Sequence, residues 1–228
     1  PVKKVVCKGA GAAVLKDVDL MVKLTQAVIK GTNLPVTVKT RLGWDENSIN
    51  IDEVAERLQD IGVQALTVHA RTRAQMYKGH SDWSHIERVK NNPRITMPIF
   101  GNGDIDSPEK ALEYKNKFGV DGIMIGRASI GYPWIFNEIK HFAKTGLHLE
   151  KPGVAERVDA AIQHLEMSVK WKGEILGVAE MKRHYTNYFK GIYDFKQTRM
   201  KLVTSYDLDE IMDTLNYIKE NSDKYSFA

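Results

Sequence analysis

The sequence predicts an α/β protein of the (β/α)8 TIM-barrel type, followed by an all-helical C-terminal domain. Three observations carry that expectation. Four short β-rich apolar runs alternate with stretches of helical period through roughly the first 150 residues, the pattern of βαβ units and a parallel sheet. The first two runs place basic side chains on a shared face near their C-terminal ends, where a barrel keeps its active site. Beyond residue 151 only helical periodicity continues.

The elements follow in order. Residues 17–30 read as a helix, with Asp17 or Asp19 as N-cap. The first run is 35–40 (PVTVKT), the second 65–70 (ALTVHA), the third 97–102 (MPIFGN) and the fourth 122–127 (GIMIGR). Helical patterns at 51–61, 83–91 and 108–118 separate them, and another at 133–145 follows. Alternation puts Val36, Val38, Leu66 and Val68 on one side, and Thr37, Lys39, Thr67 and His69 on the other. Four such units fit a small open sheet or part of a barrel, whose full form takes about 250 residues. The Lys39 and His69 face favours the barrel. Lys151, Pro152 and Gly153 mark a boundary, giving domains 1–150 and 151–228. Helices are expected at about 154–172, 178–189, 196–203 and 208–221.

Composition narrows the class. The chain has 228 residues, 43% hydrophobic and 27% charged, enough for a sizeable core and too apolar for a disordered tail. No run approaches the ~18 uninterrupted apolar residues of a membrane span, and no charged start followed by an apolar run suggests export. The single Cys7 excludes an internal disulfide framework and any multi-cysteine metal site. Taken alone, Cys7 reads as a small buried hydrophobe. A cytoplasmic protein without a metal is the expectation.

Net charge is +4, which permits a polyanionic partner without demanding one. The charge is segregated. Residues 170–201 carry eight Lys or Arg against three acids, and residues 202–228 carry two Lys against six acids. Trp171, His184, Tyr185, Tyr188 and Phe189 interleave the basic segment, as suits a phosphate backbone with unpaired bases. A solvated helix face with its aromatics turned into the bundle is the equal alternative.

Residues 101–104 (GNGD) and 125–127 (IGR) end successive strands. Such paired small-residue turns, each followed by a helix, expose backbone N–H groups that can hold a phosphate. In barrels that site commonly follows the last two strands. The four runs are then strands five to eight. Lys39 reads as a surface lysine, a buried ion-pair partner or a fixed cation beside an electron-rich group. His69 reads as a satisfied strand-end histidine or a ligand contact. Arg71 and Arg73 form a solvated loop or a phosphate clamp. Residues 9–11 (GAG) lack the spacing of a dinucleotide fingerprint.

In series, PVKKV, GAGAAVL, PVTVKTRLGW, LTVHARTRAQMYKG, PIFGNGDI and IMIGRASIGYPWIF resemble the tRNA-dihydrouridine synthases, in particular the B-type bacterial branch. MKRHYTNYFKG resembles that family's C-terminal helical domain. The resemblance implies an FMN-dependent barrel that takes electrons from NADPH, delivers hydride to C6 of a tRNA uridine and protonates C5 from a cysteine. It implies Lys39 against the flavin N1/O2 edge and His69 beside the cofactor. Asn102, Gly103, Asp104, Gly126 and Arg127 would enclose the FMN phosphate. Arg71 and Arg73 would face the uridine or the tRNA backbone, and Lys182, Arg183 and Lys190 would contact tRNA phosphates.

In the family the catalytic cysteine lies in a Gly-Cys-Pro tripeptide whose Pro matches Pro1. The acid is therefore expected immediately before this sequence, and Cys7 is not its substitute. On this expectation the segment alone is inactive, exposes an uncovered apolar inner face and self-associates. Ala70 departs from the family's common Gly at a position near the cofactor. Two other readings keep different parts of the pattern: an FMN-barrel oxidoreductase acting on a free small molecule, and an RNA-binding module without catalysis.

Overall fold

The computed structural model describes residues 2–227. Its contacts divide the chain into two compact units, one ending at Gly126 and the other beginning at Arg127.

The first unit opens with a short helix α1 (Lys3–Val6) and a 3-10 turn (Gly11–Lys16), then α2 (Val18–Lys30), β1 (Thr37–Arg41), α3 (Ile51–Asp60) and β2 (Ala65–His69). It continues with α4 (Ser84–Lys90), β3 (Ile99–Asn102), α5 (Pro108–Phe118) and β4 (Gly122–Met124). The four strands form one parallel sheet in the order β1-β2-β3-β4. Consecutive parallel neighbours joined through helices are the βαβ arrangement the alternating sequence encodes. Capping chemistry sets several boundaries. Asp17 accepts from the Leu20 N–H at 2.9 Å to start α2, and Ser107 accepts from the Lys110 N–H at 3.2 Å, with Pro108 in the first turn of α5. Gly119, at φ 61°, ends α5 in the left-handed region.

The two sheet faces differ. Leu66, Val68 and Ile99 are fully buried, as are Ile51, Val54 and Leu58 of α3 and Ile86 and Val89 of α4. The opposite face carries Thr37, Lys39, Thr67, Phe100, Gly122 and Met124, and of these Thr37, Lys39 and Met124 are exposed. That open face is mixed, with threonines and a lysine among its apolar side chains, where the sequence suggested an apolar one. Trp83 locks the helical side. Its ring lies against Gly101, its Nε1 donates to the Gly103 carbonyl at 3.1 Å, and Tyr114 and Phe118 pack around it. Ion pairs tie successive elements together: Asp19 to Arg57 between α2 and α3, Asp52 to Arg88 between α3 and α4, and Lys90 to Asp121 just before β4.

In the second unit a 3-10 turn (Arg127–Ser129) leads to α6 (Ile135–Thr145), α7 (Val154–Lys172), α8 (Glu174–Tyr188), α9 (Lys196–Thr204) and α10 (Leu208–Glu220). Its other extended feature, among the described residues, is an isolated antiparallel bridge between Ile192 and Phe227. Val158, Leu165, Val178, Met181, Tyr185, Leu202, Ile211 and Leu215 form its core. Helix α8 begins four residues before the expected start. Gly173, at φ 79°, turns the chain directly from α7 into α8, and Gly177 lets the two helices cross closely, since a Cβ there would lie 2.7 Å from the Val169 backbone. Cys7 is exposed, contrary to expectation. It lies in the turn following α1, which buries only Val6.

Candidate functional site

The C-terminal ends of β1, β2 and β3 bring together most of the side chains that the sequence singled out in the first unit. Register fixes their layout. Arg41 is paired with His69, His69 with Asn102 and Asn102 with Met124, making one row across the open face. Lys39, Thr67, Phe100 and Gly122 form the row below. Lys39 therefore stands two residues deeper than His69, and Arg41 is the basic residue level with it. Sequence reasoning missed Arg41, although its i, i+2 spacing from Lys39 places both on one strand face.

His69 is 8% exposed. Burial, then the charges of Arg41, Lys39 and Arg71, push its imidazole down to about 3, with Asp104 opposing them. It is neutral at physiological pH. Lys39 is exposed overall, but partial desolvation at the sheet face and then Arg41 lower its ammonium below the usual lysine value. Among the described residues no ion pair or hydrogen bond engages its side chain, so the buried-pair reading finds no support here.

Arg71 is turned inward and is 1% exposed. Its Nη2 binds both carboxylate oxygens of Asp104, at 2.6 and 2.9 Å, and donates to the Gly79 carbonyl at 2.9 Å. Its Nη1 lies 3.4 Å from His69 Nε2, and its buried Nε meets no acceptor among the described residues. Asp104 also accepts from the Ser81 N–H at 2.8 Å. Burial raises its carboxyl, but the hydrogen bonds from Arg71 and from Ser81 together hold it at about 2. This network needs an unusual turn: Gly103 has φ 138° and Asp104 φ 54°. A Cβ on Gly103 would lie 2.8 Å from the Ser81 Cβ. Glycine is needed there to bring Asp104 under Arg71.

Arg41 is also buried. Its Nη1 donates to the Thr72 and Met76 carbonyls at 2.7 and 2.9 Å. The loop it holds carries the exposed Tyr77, whose ring centroid is 6.3 Å from that of His69. Arg73 is half-buried, stacked 4.5 Å over the Trp44 ring, whose other cationic neighbour is Lys16 at 3.9 Å. Asn102 donates to the Met124 carbonyl at 2.8 Å and so ties β3 to β4. Around Gly126 the space is open: apart from its chain neighbours, no heavy atom of the described residues lies within 4 Å of where a Cβ would stand. Arg127 opens the 3-10 turn of the second unit. Ala70, on the opposite face from His69, is fully buried.

The basic segment of the second unit separates into two kinds of residue. Tyr185, Tyr188 and Phe189 are in the core, so the bland reading holds for them, while Trp171 is 84% exposed. Arg183 and Lys190 are exposed. Lys182 is half-buried, donating to the Thr204 carbonyl at 3.0 Å and standing over the Tyr206 ring. Among the described residues no group of three or more His, Cys, Asp or Glu is arranged to hold a metal ion. No described helix is long and apolar enough to cross a membrane.

Comparison with known proteins gives a consistent match. Residues 1–222 match the family described as dihydrouridine synthase (Dus). The chain is 41% identical over 216 residues to a protein of Synechocystis sp. named "Probable tRNA-dihydrouridine synthase 1", covering 95% of this chain and 60% of that protein. It is 39% identical over 209 residues to tRNA-dihydrouridine synthase B of Pseudomonas aeruginosa, covering 92% of this chain and 62% of that protein. With tRNA-dihydrouridine synthase B of Vibrio cholerae the identity is 40% over 190 residues, 83% of this chain and 58% of the relative. The chain thus spans about three fifths of the length of these relatives.

Proposed function

Because this chain belongs to the dihydrouridine synthase family, we propose that it works in the reduction of a specific tRNA uridine to 5,6-dihydrouridine, with FMN as cofactor and NADPH as reductant. The observation that carries the reading is the row of Arg41, His69 and Asn102, with Lys39 beneath it, on the open face at the C-terminal end of a parallel sheet. On this reading β1–β4 are strands five to eight of a (β/α)8 barrel, residues 1–150 belong to the flavin domain, and residues 151–228 are the tRNA-gripping domain.

The residues present fit an anionic flavin nucleotide. Lys39, Arg41 and Arg73 bring positive charge, the single carboxylate of Asp104 is neutralised by Arg71, and the space at Gly126 is open. Bound FMN would supply hydride to the uracil ring. Lys39 would stabilise negative charge at the flavin N1/O2 edge, its cost of partial desolvation already met in the fold. His69, neutral, would orient the ring by hydrogen bonding. Asn102, Gly103, Gly126 and Arg127 would hold the phosphate through backbone and side-chain donors. Asp104 would act there through Arg71 and Ser81, because a bare carboxylate repels phosphate. Arg73 would face the substrate. Arg183 and Lys190 would contact tRNA phosphates, with Lys182 set partly aside by its protein contacts. No residue of this sequence is assigned the acid that protonates C5.

The test is direct. The full protein that contains this sequence, loaded with FMN and given NADPH and an unmodified tRNA transcript, should convert one class of uridine to a product heavier by the mass of dihydrogen. Turnover of free uracil or enones with no effect on tRNA would instead support the small-molecule reading. Salt-sensitive tRNA binding by a colourless full protein would support binding without catalysis.

A further inference from the structure

We propose that Arg71 is a positioning residue: anchored by Asp104, it donates to Nε2 of His69 and thereby fixes that imidazole as the neutral tautomer with its proton on Nδ1. A guanidinium carries only donors, so the ring nitrogen facing it must offer its lone pair. The Arg71 side chain cannot turn away, because Nη2 is held at once by the two Asp104 oxygens and the Gly79 carbonyl. Asp104 is held in turn by the Ser81 N–H and by the turn at Gly103. Nη1 is left 3.4 Å from His69 Nε2.

The other charges facing His69 agree with one neutral form. Lys39 and Arg41 reach it from β1, Arg71 from the end of its own strand, Asp104 from the turn after β3, and the Tyr77 ring from the 72–80 loop. Three cations oppose one carboxylate that is already paired, so a second proton on the ring is disfavoured. His69 is then a fixed hydrogen-bond donor through Nδ1, and it is no general acid near neutral pH. Its use in orienting a flavin or a uracil carbonyl rests on the function proposed above, whereas the tautomer itself does not.

The experiment therefore uses the chain without cofactor. Histidine-selective 15N labelling and long-range 1H–15N correlation spectra report the tautomer of each of the seven histidines, with His69 assigned by its disappearance in H69Q. His69 should give the Nδ1–H pattern at pH 7.5 and keep it unprotonated to pH 5. In R71M the signal should move to a mixture rich in Nε2–H and titrate at higher pH. If R71M fails to fold, D104N, which leaves Arg71 in place but loosens its anchor, should mix the tautomers in the same sense. An Nε2–H pattern in the unaltered chain overturns the proposal, as does an unchanged Nδ1–H pattern in either folded variant. Absence of uridine reduction by the unaltered full protein, with the Nδ1–H pattern present, would count against the functional reading alone.

Discussion

Trp83 occupies the space where a side chain on Gly101 would begin: a Cβ there would lie 2.0 Å from Cζ3 of the indole. Replacing Gly101 by Ala should force the ring off β3 and break its hydrogen bond to the Gly103 carbonyl. Overpacking of a filled core costs about 1–3 kcal/mol. Denaturant unfolding should show a loss in that range.

Stability should fall as pH drops below 6.5. The His69 pKa is lowered to about 3 in the folded chain, so between 6.5 and 3 the unfolded state binds the extra proton. Stability is thus complete above 6.5 and declines as pH falls, by about 1.4 kcal/mol per pH unit for one proton. Asp104, held at about 2, adds a second loss only below about 3.8, where the unfolded carboxyl begins to protonate. Thermal melts between pH 7 and 4.5 should show the first slope, and H69Q should make it shallower, leaving the part contributed by His164 and His184, whose imidazoles burial also lowers.

Lys39→Ala should leave the fold intact, since the side chain is exposed and forms no ion pair among the described residues. In the full protein it should lower flavin content on purification and slow flavin reduction by NADPH. Unchanged flavin content and rate would remove Lys39 from the site.

Binding of tRNA should depend on Arg183 and Lys190 more than on Lys182. The first two are exposed, while Lys182 is engaged with the Thr204 carbonyl and the Tyr206 ring. R183Q with K190Q should reduce the slope of log affinity against log salt by about two. K182Q alone should change that slope by less than either. Equal effects at all three positions would contradict the assignment.

The sheet and its helices were legible because their information is local. Alternation in 65–70 and the apolar spacing of Ile51, Val54, Ala55 and Leu58 mark their elements within a few residues. The side-chain network was less legible because its partners are distant along the chain. Nothing near Arg71 announces that Asp104, thirty-three residues later, turns it inward, and Arg41 finds its carbonyls thirty-one and thirty-five residues on. On α8 the signal was present. Tyr185, Tyr188 and Phe189 have the i, i+3, i+4 spacing of a buried face, which outweighs their interleaving with basic residues.

The hydrogen bonds by which Arg41 and Arg71 grip the 72–80 loop end on the carbonyl oxygens of Thr72, Met76 and Gly79, and Arg41 also lies over the Tyr77 ring. Every amino acid has such an oxygen. The loop can therefore exchange a side chain such as Lys78 without loosening that hydrogen-bonded mooring. Its placement is inherited from two strand-end arginines, and its wording is left free to drift.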